Sequence, residues 1–511
     1  MSRISANIAT LREKVGLFVE NFVHKDPIQG ESSMLFRMLY DDKLAQAAYL
    51  IGCQHTGEAI IIDPERDVDR YIEAAAAESM KITAIAETHI HADFLSGARE
   101  LAERTGARLY LSDEGDADWK YQWLDKKQTG GSYNHKLLKN GDTFKVGNIE
   151  IKAVHTPGHT PEHISFLVTN LGGGATEPMG IASGDFVFVG DVGRPDLLET
   201  AAGQVGAKEP SARVLYHSIQ RFKDLPDYLQ VWPAHGSGSA CGKALGAVPQ
   251  STVGYEKRFN AAIAAATDEA HFVEAILDGQ PEPPLYFARM KHDNKMGPAV
   301  LGKLPAPQAI DAAALKKLAA ENAMILDTRP WQQFRDSHIP GALWAPLTNY
   351  FPNVAGSYVE PGTSIFLIVE ENQVKDAVAA LIRIGLDEVA GYATEATFAA
   401  YLAQGGQSLA TRRMPIGNLK SENNSNGAFV LDVRGAAEYN AGHLAGATNV
   451  AYTRLMPRLH ELPKDRTIYV HCRTDKRSAI AASFLQYNDF NVIHLEDGFE
   501  GWQQKGGVTV K

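Results

Sequence analysis

Two stretches in the C-terminal part of this 511-residue chain repeat one another, and the duplication constrains the fold more than any other feature. ILDTRPWQQFRDSHIPGA, residues 325–342, aligns without gaps on VLDVRGAAEYNAGHLAGA, residues 430–447, with six of 18 positions identical. The match resumes at an offset of 102 residues, where IFLIVEENQVKDAVAAL (365–381) lies over TIYVHCRTDKRSAIAAS (467–483). Short apolar runs, each followed by apolar residues at helical spacing, predict two small α/β domains built on parallel sheets. One tandem copy is a duplication, not a solenoid, which needs about three repeats to bury a continuous core.

Ahead of the pair stands a longer block of different texture. Strand-like runs such as AYLIG, AIIID, ITAIAETH, IEIKAVHT, ISFLVTN and FVFVG alternate with helical stretches. Residues 281–308 are proline-rich without a sustained period and read as a linker, and 412–427 form a polar break. The expected organisation is an N-terminal extension at 1–30, a first domain at 31–280, the linker at 281–308, and repeats at 309–408 and 413–511. In the extension, Ile8, Leu11, Val15, Phe18 and Phe22 are interrupted by Arg12, Glu13, Lys14 and Glu20. That pattern predicts an amphipathic helix packed on the body or on another subunit, not a signal peptide or a membrane span.

Fifty Lys and Arg against 61 Asp and Glu give a net charge of −11, and 44% of residues are hydrophobic. This excludes a basic nucleic-acid binder and an acidic disordered chain. Three cysteines, Cys53, Cys241 and Cys472, do not make a disulfide framework and suit a reducing cytoplasm. No nucleic-acid or membrane partner is expected; a homo-oligomer is. Cys53, inside YLIGC, is read as core.

The candidate chemistry of the first block follows its strands. His89-Ile90-His91-Ala92-Asp93 comes after ITAIAET, and residues two apart in an extended segment project to one side. HTPGHTPEH presents His159 on a Pro-Gly turn, ASGD places Asp185 beyond the next strand, and WPAHGSGSACG adds His235 and Cys241. Loops beyond strand ends are where α/β proteins put their sites.

The order HxHxD, PGHT, GD, PAHG resembles the metallo-β-lactamase superfamily, whose fold is an αββα sandwich. Its first motif usually ends in a further His serving a second metal, and Phe94 stands there in this chain. ETHIHADF, TPGHTPEH, SGD and VGDVGRPD resemble the persulfide dioxygenases in particular. That resemblance implies one Fe(II) per chain held by His89, His159 and Asp185, with O₂ and a persulfide at the open positions. It casts His91 and Asp93 as groups orienting a ligand or a bound water, and His235 as facing the position of the missing metal. Arg194 either grips a substrate carboxylate or pairs with Asp196. Cys241 either lines the substrate entrance and accepts sulfane sulfur or is buried and inert.

Cys472 follows the strand TIYVH and precedes a helical stretch. A loop curled around it, with Arg473, Lys476 and Arg477 and a helix N-terminus nearby, supplies the positive potential that stabilises a bound persulfide anion. LDVR, EYNAGHLAGATN and HC with a six-residue loop closing in RS resemble rhodanese domains, which makes Cys472 the sulfur carrier and Arg477 its catalytic partner. Asp475 stands where that family often has Gly, and its charge opposes an anionic substrate. In the first repeat Glu370 takes the place of Cys472 and Lys375 that of Arg477, so this copy is expected to be non-catalytic. Its Arg329 and His338 match Arg434 and His443 and are read as structural.

The expectation is a non-haem Fe(II) dioxygenase that converts a low-molecular-weight thiol persulfide, such as glutathione persulfide, to sulfite and thiol. Rhodanese sulfur transfer is coupled to it in one of two directions: sulfite accepts sulfane sulfur from a Cys472 persulfide to give thiosulfate, or Cys472 loads a small thiol and feeds a persulfide to the iron. Two other classes compete: a glyoxalase II-like thioester hydrolase, which needs two metals and is opposed by Phe94, and a sulfur-carrier scaffold with a vestigial metal site.

Overall fold

The computed structural model describes residues 34–200, 203–243, 245–419 and 428–511; the helix expected at 1–30 lies outside them. Two six-stranded sheets stand face to face in the first domain. One runs in chain order through β1 (Met34–Asp41), β2 (Gln46–Cys53), β3 (Glu58–Ile62), β4 (Lys81–Ala86), β5 (Arg108–Ser112) and β6 (His135–Leu138). The other comprises β7 (Thr143–Val146), β8 (Ile149–His155), β9 (Ile164–Asn170), β10 (Gly180–Gly184), β11 (Gln230–Pro233) and β12 (Ser251–Thr252).

Period-two alternation divides the apolar residues between two layers. Ile60 and Ile62 meet Ile149, Ile151 and Phe166 between the sheets. Ala59 and Ile61 face outward to Tyr71 and Ala75 of α1 (Asp69–Ala77) and Leu101 and Ala102 of α2 (Ala98–Thr105). Beyond the second sheet, Ile181 and Val231 are covered by α3 (Lys208–Lys223) and α4 (Glu269–Leu277) through Leu215, Phe222, Phe272 and Val273. This is the expected αββα sandwich.

The segment expected as a linker is in part a built element. Phe287–Met296 forms α5, and Phe287, Met290 and Asn294 on it are buried. Prolines on both sides of a ten-residue helix mask it in the sequence.

The two repeats fold alike. The first has β13 (Gln308–Ala309), β14 (Met324–Asp327), β15 (Ala342–Trp344), β16 (Ile365–Ile368) and β17 (Val389–Ala393), ordered β13-β17-β16-β14-β15, with α6 (Val374–Ile382). The second has β18 (Arg413–Pro415), β19 (Phe429–Asp432), β20 (His443–Leu444), β21 (Thr448–Asn449), β22 (Ile468–His471), β23 (Val492–Glu496) and β24 (Thr509–Val510). Its main sheet, β18-β23-β22-β19-β21, is likewise parallel, and it carries α7 (Lys476–Tyr487) and α8 (Gly498–Gln504). Arg329 grips Asp327 and the Ser337 carbonyl, as Arg434 grips Asp432 and the Gly442 carbonyl. His338 stacks on Phe334 and bonds its carbonyl, as His443 does with Tyr439. These shared residues hold the loop after the first long strand in place.

The repeats pack on each other through Tyr358 stacked on Phe484, ring centroids 3.8 Å apart, and Ser483 Oγ accepting from Trp344 N at 2.6 Å. One apolar core continues from them into the first domain, through Phe94, Leu95, Phe188 and Cys241.

Burial lowers His338 from the ordinary 6.5 to about 4. Below pH 6.5 the unfolded chain binds a proton at this histidine that the native state does not, so its contribution to stability is lost as pH falls toward 4. The stability advantage of the wild type over His338→Asn is therefore expected to shrink by about 2 kcal/mol between pH 7 and pH 5. Urea unfolding of both proteins at the two pH values measures it; a constant difference contradicts the assignment.

Candidate metal centre and the Cys472 cavity

Four loops at the strand ends converge on one another. The turn after β4 brings His89, the β8–β9 connection His159, the end of β10 Asp185 and the end of β11 His235. His89, His159 and Asp185 are buried, with candidate donor atoms within 4.8 Å of one another. Asp185 Oδ2 lies 3.4 Å from His159 Nε2 and 4.0 Å from His89 Nε2.

Hydrogen bonds on the far side of each ring decide which nitrogen faces the centre. Thr88 Oγ1 donates to Asp63 Oδ2 at 2.9 Å, so it accepts from His89 Nδ1 at 2.9 Å. His159 Nδ1 donates to the Arg194 carbonyl at 3.0 Å. Burial lowers both imidazoles, with neighbouring histidines adding to the effect at His89, which leaves them neutral at pH 7 and their Nε2 lone pairs available. His89 Nε2 and both Asp185 carboxylate oxygens are buried without a hydrogen-bond partner. Such orphaned atoms, two neutral imidazoles and one carboxylate on one side, fit a divalent transition metal with open coordination positions. Gly193 is required beneath them, since a Cβ there would stand 1.7 Å from the Asp185 carbonyl oxygen.

A second set forms on the other side of Asp185, where Asp93, His235 and Cys241 also bring donor atoms within 4.8 Å. His235 donates through Nδ1 to the Ala45 carbonyl at 3.1 Å. Its Nε2 lies 3.2 Å from Asp93 Oδ2 and 3.3 Å from Asp185 Oδ1. Burial alone lowers His235, but Asp185, Cys241 and Asp93 raise it well above its ordinary value. Cys241 is buried, not at an entrance, and burial with Asp93 beside it pushes its thiol up to about 12. Burial and the raised thiol favour the inert reading over an entrance role.

His91 joins neither set. Asp63, at the end of the AIIID run, accepts from Thr88 N at 2.7 Å and holds His91 Nε2 at 3.2 Å. The two-residue spacing that suggested convergence of His89 and His91 is overridden by this tertiary partner. Phe94 packs against His91, ring centroids 4.4 Å apart, and fills apolar core. Arg194 spends its guanidinium on Asp196, at 2.8 and 2.6 Å, and on the Ala240 carbonyl, and so fixes the loop carrying Cys241.

Cys472 directly follows β22 and is buried, its Sγ accepting from Ser478 Oγ at 3.3 Å. The amides of Phe499 and Glu500 bind the carbonyls of Cys472 and Arg473 and tie the loop to α8. Asp475 needs no left-handed backbone, at φ −140°, and accepts from Asp497 N at 3.1 Å. Arg477 is held bidentately by Glu438, at 2.5 and 2.8 Å, and Arg473 by Glu500 at 2.6 Å; Lys476 lies over the Tyr350 ring. A cavity of about 730 Å³ opens over Cys472. Its walls include Gly238 and Ala240 from the His235–Cys241 loop, Glu282 from the linker and Tyr350 from the first repeat. Glu370, the counterpart of Cys472, is exposed beyond β16 and accepts from Glu395 N.

Fold and site together define a metal-binding αββα sandwich joined to a duplicated rhodanese-like unit. The metallo-beta-lactamase superfamily model matches residues 41–235, and the rhodanese-like domain model matches 311–400 and 417–505. A metallo-beta-lactamase structure from Staphylococcus aureus subsp. aureus COL is 43% identical with a TM-score of 0.63, covering 71% of this chain and 99% of that one. The structure of ETHE1 from Myxococcus xanthus is 26% identical, TM-score 0.40, covering 51% of this chain and 98% of that one. A beta-lactamase hydrolase-like protein of Xylella fastidiosa is 30% identical over 302 residues, 54% of this chain, and the chain spans 63% of that relative's length. This chain belongs to the metallo-beta-lactamase superfamily and carries two rhodanese-like domains. Among the described residues no helix is long and apolar enough to cross a membrane.

Proposed function

We propose that the chain is an Fe(II)-dependent persulfide dioxygenase whose product meets sulfur carried on Cys472. The observation that carries this reading is the buried set of His89, His159 and Asp185, two neutral imidazoles and one carboxylate with orphaned donor atoms. A bound Fe(II) would supply O₂ binding and electron transfer. The balanced reaction is RSSH + O₂ + H₂O giving RSH, sulfite and two protons. In it, Thr88 and the Arg194 carbonyl hold His89 and His159 in register. His235, whose Nε2 lies 3.2 Å from Asp93 and 3.3 Å from Asp185, holds the second carboxylate beside the metal ligands. Phe94, packed on His91, and Phe188, edge-on to His235, keep the surroundings apolar.

On the rhodanese side, a second RSSH passes its outer sulfur to the Cys472 thiolate and leaves as RSH; sulfite then attacks the outer sulfur of the Cys472 persulfide, forming the S–S bond of thiosulfate and releasing the Cys472 thiolate. What supports the coupling is the loop between His235 and Cys241, whose ends face the metal centre while Gly238 and Ala240 line the Cys472 cavity.

A two-metal thioester hydrolase is favoured by one feature, the second donor set of Asp93, His235 and Cys241. Anaerobic purification followed by metal analysis and O₂ uptake with glutathione persulfide separates the readings. One iron per chain with O₂ consumed is expected; near-stoichiometric zinc without O₂ consumption would refute the dioxygenase.

A further inference from the structure

The turn after β4 contains His89 and Asp93, and groups far away in sequence hold its backbone in place. Ile90 N donates to Glu162 Oε1 at 2.8 Å, and Gly97 N to the Pro64 carbonyl at 2.7 Å. Between them, Asn294 on α5 makes three bonds with one side chain. Its Nδ2 donates to the carbonyls of His91 at 2.8 Å and Phe94 at 2.7 Å, and its Oδ1 accepts from Ser96 N at 2.8 Å. Asp93 thus lies between two carbonyls held by a single buried amide. Leu95 N donates to the Arg383 carbonyl at 2.6 Å, just beyond the C-terminus of α6 in the first repeat.

That anchor is itself fixed. The Arg383 guanidinium enters an acidic pocket of the first domain, 2.5 Å from Asp41, 2.7 Å from Asp67 and 3.3 Å from Glu65. Arg66 in turn donates to the Ile382 carbonyl and pairs with Asp387 at 2.6 Å. Arg289 on α5 donates to the Ile384 carbonyl at 2.8 Å, which ties the linker helix to the same corner. The repeat that lacks a cysteine therefore touches the metal-binding domain at its ligand-bearing turn.

We propose that α5 and the first repeat are a clamp that sets the metal-binding turn, with Asn294 as the positioning residue and Arg383 as the anchor. The repeat serves the metal centre by holding the backbone that carries His89 and Asp93 at the spacing a metal requires. The inference rests on these residues binding a metal, not on the reaction catalysed there.

The test uses the full chain, stripped of metal and titrated with Co(II), whose visible absorption reports coordination. Asn294→Ala is expected to weaken Co(II) binding about 10- to 100-fold and to shift the bands, the range seen when groups supporting metal ligands are removed. In the metal-free variant, amide exchange at residues 90–96 accelerates while the rhodanese sheets keep wild-type protection. Arg335→Ala, which cuts the Arg335–Glu496 contact between the repeats, is the control for general destabilisation and keeps wild-type affinity. Wild-type Co(II) affinity and spectrum in Asn294→Ala, or an equal loss in the control, overturns the clamp. If Asn294→Ala does not fold, Arg383→Lys decides: a weakened site upholds the anchor, an unchanged one overturns it. Zinc in the purified protein would refute the dioxygenase and leave this test intact.

Discussion

Asp185→Asn is expected to leave the chain folded but unable to retain its metal, with O₂ uptake on glutathione persulfide reduced more than about 100-fold. The amide has the shape of the carboxylate, so the packing of Gly193 beneath the Asp185 carbonyl is undisturbed. What is lost is charge at the junction of both donor sets, since Oδ2 faces His89 and His159 while Oδ1 faces His235. His235 also loses one of the carboxylates that raise it above its ordinary value. Metal analysis after anaerobic purification is the direct measurement. Wild-type iron content in the variant would remove Asp185 from the ligand set.

Cys472→Ser is expected to abolish thiosulfate formation and leave O₂ uptake within about twofold of wild type, with sulfite accumulating instead. The reason is spatial as well as chemical. Cys472 carries the only thiol among the residues lining its cavity, and the metal domain contributes Gly238 and Ala240 to the wall, not a ligand. Serine preserves the polar contact with Ser478 but cannot carry sulfane sulfur. Product ratios by chromatography decide the matter. An unchanged sulfite-to-thiosulfate ratio would end the carrier role.

Much of the site was legible from local patterns. His89, His159, Asp185 and His235 each follow an apolar run, and strand-end loops are where such sheets gather ligands. The duplication was legible because Asp327–Arg329 and Asp432–Arg434 do the same job in both copies. Less legible was Asp63, which ends a strand run visible in the sequence but whose bond to His91 spans 28 residues. Asn294 was hidden, because its three bonds reach about 200 residues back to a turn that no periodicity connects with it.

The sequence by itself determined the order of domains, the residues able to bind metal or carry sulfur, and the loss of the thiol at Glu370. Side-chain type and strand-end position are local properties, and local properties survive in a string of residues. The tertiary structure decided which imidazole nitrogen faces the centre, that His91 belongs to Asp63, that Cys241 is buried beside Asp93, and that Glu438 holds Arg477. Each of these depends on a partner brought close by packing, and a hydrogen bond or ion pair has no direction until both ends are placed.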